Sequence, residues 1–142
     1  MKRRELIIEA SVEHLQQVLQ FVDSRLEEGG CTLGEQMKID LAVEEIFVNI
    51  ASYAYGAGKG EASVDVEFSR ETGEVTITFT DRGVPYNPLE KKDPNIKLSA
   101  EERQIGGLGI FIAKKSMDEL IYEYKDGCNI LHMKKKLKIK PA

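Results

Sequence analysis

The run GEVTITF, followed directly by TDRGVPYNP (Thr80 to Pro88), places an aspartate where an apolar side chain is expected. Side chains two apart on a strand share a face, so Asp81 continues the row Val75, Ile77, Phe79. That row predicts a carboxylate turned toward the protein interior, where a charge without partners is costly. Asp81 can accept the amides of its own turn, Arg82 and Gly83. It can also accept a hydrogen bond from the amino group of a ligand held between sheet and helices. Gly83 would let such a ligand approach the backbone closely.

Two further places break the apolar pattern. In LAVEEIFVNIASYAY, Glu45 and Asn49 stand four apart, on one helix face and one turn from each other. Their stripe, Leu41, Glu45, Asn49 and Tyr53, runs beside the apolar stripe, where polar groups line a cleft or form an ordinary half-exposed flank. In IGGLGIFIAKK, Gly106, Gly107 and Gly109 precede an apolar-periodic helix. Free amides and the helix dipole at such a start attract phosphate, although a glycine hinge that only turns the chain has the same composition.

The elements that must hold these residues follow from periodicity. ELIIEA, residues 5 to 10, predicts a short strand, and Ser11 an N-cap. Val12, Leu15, Val18, Leu19, Val22 and Leu26 then recur at helical spacing, up to the EEGG stop at Glu27 to Gly30. A second helix is predicted from about Leu33 to Ala54, with Ile39, Val43, Ile46, Phe47 and Ile50 on its apolar side. The glycines of YGAGKGE break it. Ala62, Val64, Val66 and Phe68 alternate with polar residues, RETGE turns the chain, and Val75, Ile77 and Phe79 alternate again. From Asn87 to Ile105 there is no core pattern, which predicts a long, mobile, functional loop. A third helix is predicted from Ile110 to about Leu120, then two strands joined at Asp126-Gly127. The order β-α-α-β-β-α-β-β implies an α+β fold. Its form would be a two-layer α/β sandwich, with a mixed, mostly antiparallel sheet and helices on one face.

The 142 residues, 42% of them hydrophobic, fit a single domain over 1–142 with a real core. No stretch approaches the roughly 20 apolar residues that span a bilayer. MKRRELIIEAS has too short an apolar run for a signal peptide. Two cysteines, Cys31 and Cys128, fit reduced thiols, and the expected location is cytoplasmic. His14 and His132 are isolated, which argues against zinc. A net charge of -4 and a pI near 5.3 argue against direct nucleic-acid binding. The basic cluster KKKLKIK, Lys134 to Lys140, alternates with Leu137 and Ile139 and reads as the solvated face of a last strand.

Taken in order, Glu-x-x-x-Asn on a helix, Asp-x-Gly at a strand end, a loop and Gly-x-Gly opening a helix resemble the gyrase/histidine-kinase-like (GHKL, Bergerat) ATP-binding fold. The likeness is to its anti-sigma-factor serine-kinase branch, the RsbW/SpoIIAB-like proteins. EEIFVNIASYAY resembles that family's N box, DRGVPYNP its first glycine box and GGLGIFIAKKSMDEL its second, and the likeness covers nearly the whole chain. It implies ATP and Mg²⁺ as cofactors. By the same resemblance Glu45 is the general base, Asn49 supplies an oxygen to magnesium, and Asp81 receives the adenine amino group with Gly83 beside it. The lid motif is Gly106, Gly107, Leu108 and Gly109, with Gly107 and Gly109 approaching the triphosphate. Pro85 stands among the nucleotide-contacting positions where many relatives have a second glycine, and Tyr53 stands where some have histidine.

The activity so implied is that of a serine-protein kinase and anti-sigma factor. It would act as an ATP-bound homodimer that phosphorylates a STAS-domain anti-sigma antagonist or holds a sigma factor, without membrane or direct nucleic-acid partners. A nucleotide-gated binding module without significant kinase activity is the alternative, and the presence of Glu45 favours the enzyme. The catalytic domain of a histidine kinase is a third reading, against which the chain shows no dimerisation-and-phosphoacceptor helices.

Overall fold

The computed structural model describes residues 5–56, 58–69, 71–90 and 107–137. Its elements are β1 (Glu5–Glu9), α1 (Leu15–Glu28), α2 (Leu33–Tyr53), β2 (Glu61–Phe68), β3 (Glu74–Asp81), α3 (Gly107–Ser116), β4 (Glu119–Lys125) and β5 (Cys128–Lys136). The sheet runs β1-β2-β3-β5-β4, and all four pairings are antiparallel. This is the α+β sandwich that the order of elements implied, with no parallel pair among the described strands.

The alternation read from the sequence decides which sheet face is buried. Val64, Val66, Val75, Ile77, Phe79, Leu131 and Met133 form one apolar floor. Val18, Val22 and Leu26 of α1, Ile39, Val43, Ile46 and Phe47 of α2, and Ile110 and Ala113 of α3 cover it. Thr32 caps α2 by accepting the Glu35 amide at 3.3 Å, which satisfies one of the free N–H groups at that end. In the last hairpin Asp126 (φ 54°) and Gly127 (φ 78°) both adopt the left-handed conformation that a two-residue type I′ turn requires. No helix among the described residues is long and apolar enough to cross a membrane.

Three expectations are corrected. Ser11 caps a single 3-10 turn, Val12–His14, and α1 begins only at Leu15. The tighter winding takes Val12 off the buried stripe, and it is 56% exposed. The third helix ends at Ser116 rather than near Leu120, because the next residues are captured by the sheet. The Asp118 amide donates to the Lys134 carbonyl at 2.9 Å, and the Asp118 carboxylate accepts the Lys136 amide at 2.7 Å. Lastly, the segment expected to be one long loop from Asn87 begins with a 3-10 turn, Pro88–Glu90, in which Pro88 is buried and Leu89 packs on the core. The rest of that expectation, from residue 91 to 105, lies outside the described residues.

Lys135 is a polar member of the inner row of β5. Its Nζ donates to the Ser116 carbonyl at 2.9 Å and lies 3.6 Å from Glu35 Oε2, so it caps the end of α3 and ties it to α2.

The carboxyls of Asp23 on α1 and Asp40 on α2 meet at the seam between the two helices, and each keeps one buried oxygen without a hydrogen-bond partner. Burial, the hydrogen bond with Asp23 and the Asp23 charge push Asp40 up to about 8, from an ordinary value of 3.8. A carboxyl raised in this way binds more protons folded than unfolded. Its contribution to stability is therefore present at low pH and lost as pH rises toward the raised value. Thermal unfolding between about pH 5 and pH 9 should show the melting temperature falling with pH. In Asp40→Asn, where an amide N–H replaces the shared proton, the fall should be flatter. Parallel slopes in the two proteins would show that this pair does not carry the dependence.

Candidate functional site

The buried row of β3 ends at Asp81, which is 5% exposed and opposite Ala62 on one side and Asn129 on the other. Asp81 Oδ1 accepts the Gly83 amide at 2.9 Å and Asn129 Nδ2 at 2.9 Å. The Arg82 amide, also a candidate partner, turns away and donates to the Tyr55 hydroxyl at 2.9 Å. Both bonds that Asp81 accepts among the described residues end on Oδ1, so Oδ2 is the acceptor left for a ligand.

Asp81 lines a cleft between the ends of β3 and β5 and the last turns of α2. Ile46, Ile50, Phe79 and Leu131 give it apolar walls, and Asn49, Asp81 and Asn129 supply its polar groups. Tyr53 and Tyr86 stack beside it with ring centroids 5.4 Å apart and planes 29° from parallel. It holds about 400 Å³ including its open mouth. An apolar cleft with a few convergent polar groups is the kind of lining that a small molecule uses.

Asn49 and Glu45 share the predicted face of α2. Asn49 lines the cleft, and its Oδ1 is buried with no hydrogen-bond partner. A neutral oxygen left bare is suited to a hard cation. No group of three potential metal ligands exists among the described residues. Magnesium fits this single donor because it keeps waters and takes further oxygens from phosphate. Glu45 lies one turn toward the start of α2, half-buried and outside the cleft lining. Burial, and then the charge of Glu44, raise its carboxyl above the ordinary range. That shift brings a carboxylate closer to the basicity useful in proton transfer near neutral pH.

The elbow after Asp81 is shaped by protein rather than by the cleft. A Cβ on Gly83 would stand 2.0 Å from the Ala54 carbonyl oxygen and 2.5 Å from its carbon. The Val84 amide donates to that same oxygen at 2.8 Å, fixing the elbow on the end of α2. The close approach at Gly83 is thus to a helix terminus, and neither Gly83 nor the exposed Pro85 is among the lining residues. Pro88, buried, does line the cleft. Gly83→Ala should destabilise the protein by about 1–3 kcal/mol, the usual cost of overpacking. A melting temperature unchanged from wild type would show that the elbow yields freely.

Gly107, Leu108 and Gly109, expected to precede a helix starting at Ile110, instead form the first residues of α3. Gly106 lies outside the described residues.

Asn129 is a site residue that the sequence reading missed. It is 7% exposed and lines the cleft. Its signal was available: Asn129, Leu131 and Met133 alternate inward in CNILHMK, so Asn129 interrupts a buried row just as Asp81 does.

Residues 8–135 match the histidine kinase-like ATPase domain family. The serine/threonine-protein kinase BtrW of Bordetella bronchiseptica is 29% identical over 93 residues, 66% of this chain and 65% of BtrW, so the match leaves more than a third of that relative uncovered. The anti-sigma F factor of Pasteuria penetrans is 33% identical over 107 residues, 75% of this chain and 71% of that protein. The serine-protein kinase RsbW of Listeria monocytogenes is 26% identical over 104 residues, 70% of this chain and 64% of that protein. A solved structure of the RsbU and RsbW domains of a Mycobacterium tuberculosis protein shares the fold, with a TM-score of 0.63 at 17% identity over 99% of this chain and 34% of that one. The chain belongs to the histidine kinase-like ATPase domain family, in its anti-sigma-factor serine-kinase (RsbW-like) branch.

Proposed function

We propose that this protein is an ATP-dependent serine kinase that phosphorylates a STAS-type anti-sigma antagonist in the cytoplasm, and that as an ATP-bound homodimer it holds a sigma factor. The observation that carries the reading is on α2. There, a half-buried carboxyl raised by burial precedes by one turn an amide oxygen that is buried and unpartnered. A base beside a cation site is what transfer to a hydroxyl needs, and nucleotide binding alone does not need the base.

ATP supplies the phosphoryl group and magnesium the charge that neutralises its oxygens. Asp81 Oδ2 would accept the adenine amine, while the apolar walls of the cleft exclude water from the ring. Asn49 Oδ1 would take one magnesium position. Glu45 takes the proton as the serine Oγ bonds to the γ-phosphorus and the bond from that phosphorus to the bridging oxygen breaks. The amides of Gly107 and Gly109, in the first turn of α3, would supply donors to the triphosphate charge.

The test is to incubate the purified protein with labelled ATP, Mg²⁺ and candidate STAS proteins, and to look for phosphoserine. Transfer supports the kinase. Retention of a partner in an ATP-dependent way, without transfer to any candidate, would replace it with a nucleotide-gated binding module.

A further inference from the structure

The transfer step makes no use of Asn129, yet this side chain bonds to both Asp81 and the elbow that follows it. Its Nδ2 donates to Asp81 Oδ1 at 2.9 Å and to the Val84 carbonyl at 2.9 Å, with the Gly83 carbonyl at 3.5 Å. Its Oδ1 accepts the Tyr86 amide at 3.1 Å and the Tyr122 hydroxyl. A backbone carbonyl can only accept and a backbone N–H can only donate. Val84 and Tyr86 therefore fix which end of the Asn129 amide is nitrogen and which is oxygen. With that sense fixed, an N–H must face Asp81.

Asp81 Oδ1 consequently sits between two donors that cannot exchange roles, the Gly83 amide and the Asn129 amide. A carboxyl held by one oxygen in this way has its other oxygen fixed in direction. The same bonds tie the elbow over 83–86 to β5, so the carboxyl and the wall of the cleft are registered together.

We propose that Asn129 is the positioning residue that sets nucleobase selectivity. It holds Asp81 so that Oδ2 is offered to the cleft purely as an acceptor, favouring a purine with an exocyclic amine and disfavouring one with a carbonyl at the same place. This rests on the reading of the cleft as an adenine site and goes beyond it by assigning the discrimination to a residue that need not touch the nucleotide. Without Asn129, Asp81 keeps only the Gly83 amide, so the carboxyl can pivot and hydrate more readily, and a water bridging to it can satisfy either kind of ring edge.

The experiment is calorimetric binding of ATP and of inosine triphosphate, which carries a carbonyl where ATP carries the amine, to the full chain. Wild type should prefer ATP. Asn129→Ala, its folding checked by circular dichroism, should lower the ratio of ATP to inosine triphosphate affinity by about tenfold, mainly through ATP. If Asn129→Ala does not fold, Asn129→Leu serves instead, because it keeps the volume of the side chain and removes the Nδ2 donor to Asp81. A ratio reduced in Asn129→Leu supports the assignment. A wild type without preference would overturn the adenine reading itself. A wild type that discriminates, with the ratio kept in the folded variant, would overturn the role of Asn129 alone.

Discussion

Glu45→Gln is expected to lower phosphoryl transfer to a partner serine by about 10²–10⁴-fold, the usual worth of a general base, while ATP still binds. Glutamine keeps the size and polarity of the side chain and removes only its capacity to take a proton. Glu45 lies outside the cleft lining, and the bare oxygen of Asn49 one turn away is untouched by the change. Affinity and turnover should therefore separate. Asn49→Ala offers the contrast, since it removes the cation's oxygen and should weaken Mg²⁺-dependent ATP affinity together with transfer.

The pH profile gives an independent check. Glu45 acts as a base only when ionised, and burial and the Glu44 charge raise its carboxyl. Transfer by the wild type should thus decline on the acid side at a pH above the ordinary carboxylate range, and the Gln variant should lack that limb. Measuring single-turnover transfer against pH in both proteins decides it. If Glu45→Gln transfers at the wild-type rate, Glu45 is not the base.

Asp81→Asn is expected to weaken ATP binding by about 1–3 kcal/mol, roughly fivefold to 150-fold. The direction follows from the two donors that hold Oδ1, the Gly83 amide and Asn129 Nδ2. Both need an acceptor, so the oxygen of the new amide stays between them and its NH₂ is left facing the cleft. There it meets the adenine amine, donor against donor. Inosine triphosphate, with a carbonyl at that position, should lose far less affinity or gain some. Titration calorimetry with both nucleotides reads the outcome. Equal losses would indicate general damage to the cleft, and ATP affinity at the wild-type level would remove Asp81 from base recognition.

The placement of Asp81 was legible because alternation is a property of neighbours along one chain. Val75, Ile77, Phe79 and Asp81 had to share a face of β3 whatever the rest of the fold did, and they do. The same holds for Glu45 and Asn49 on α2, and for the Asp126-Gly127 turn, whose two positive φ angles are demanded by a tight hairpin. Element order, the buried sheet face and the side of its own element on which each of these residues stands were all available at this range.

What the sequence could not supply was contact between residues far apart in it. Asn129 meets Asp81 only because β5 pairs with β3 in the register that sets them opposite. Gly83 is a glycine because the elbow lands on the Ala54 carbonyl, a meeting fixed by how α2 packs on the sheet. Helix α3 stops at Ser116 because Asp118 and the segment after it bond to Lys134 and Lys136 of β5. Local periodicity fixes the direction of a side chain relative to its own element. The partner it finds there is decided by strand register and helix packing, which the whole core sets at once.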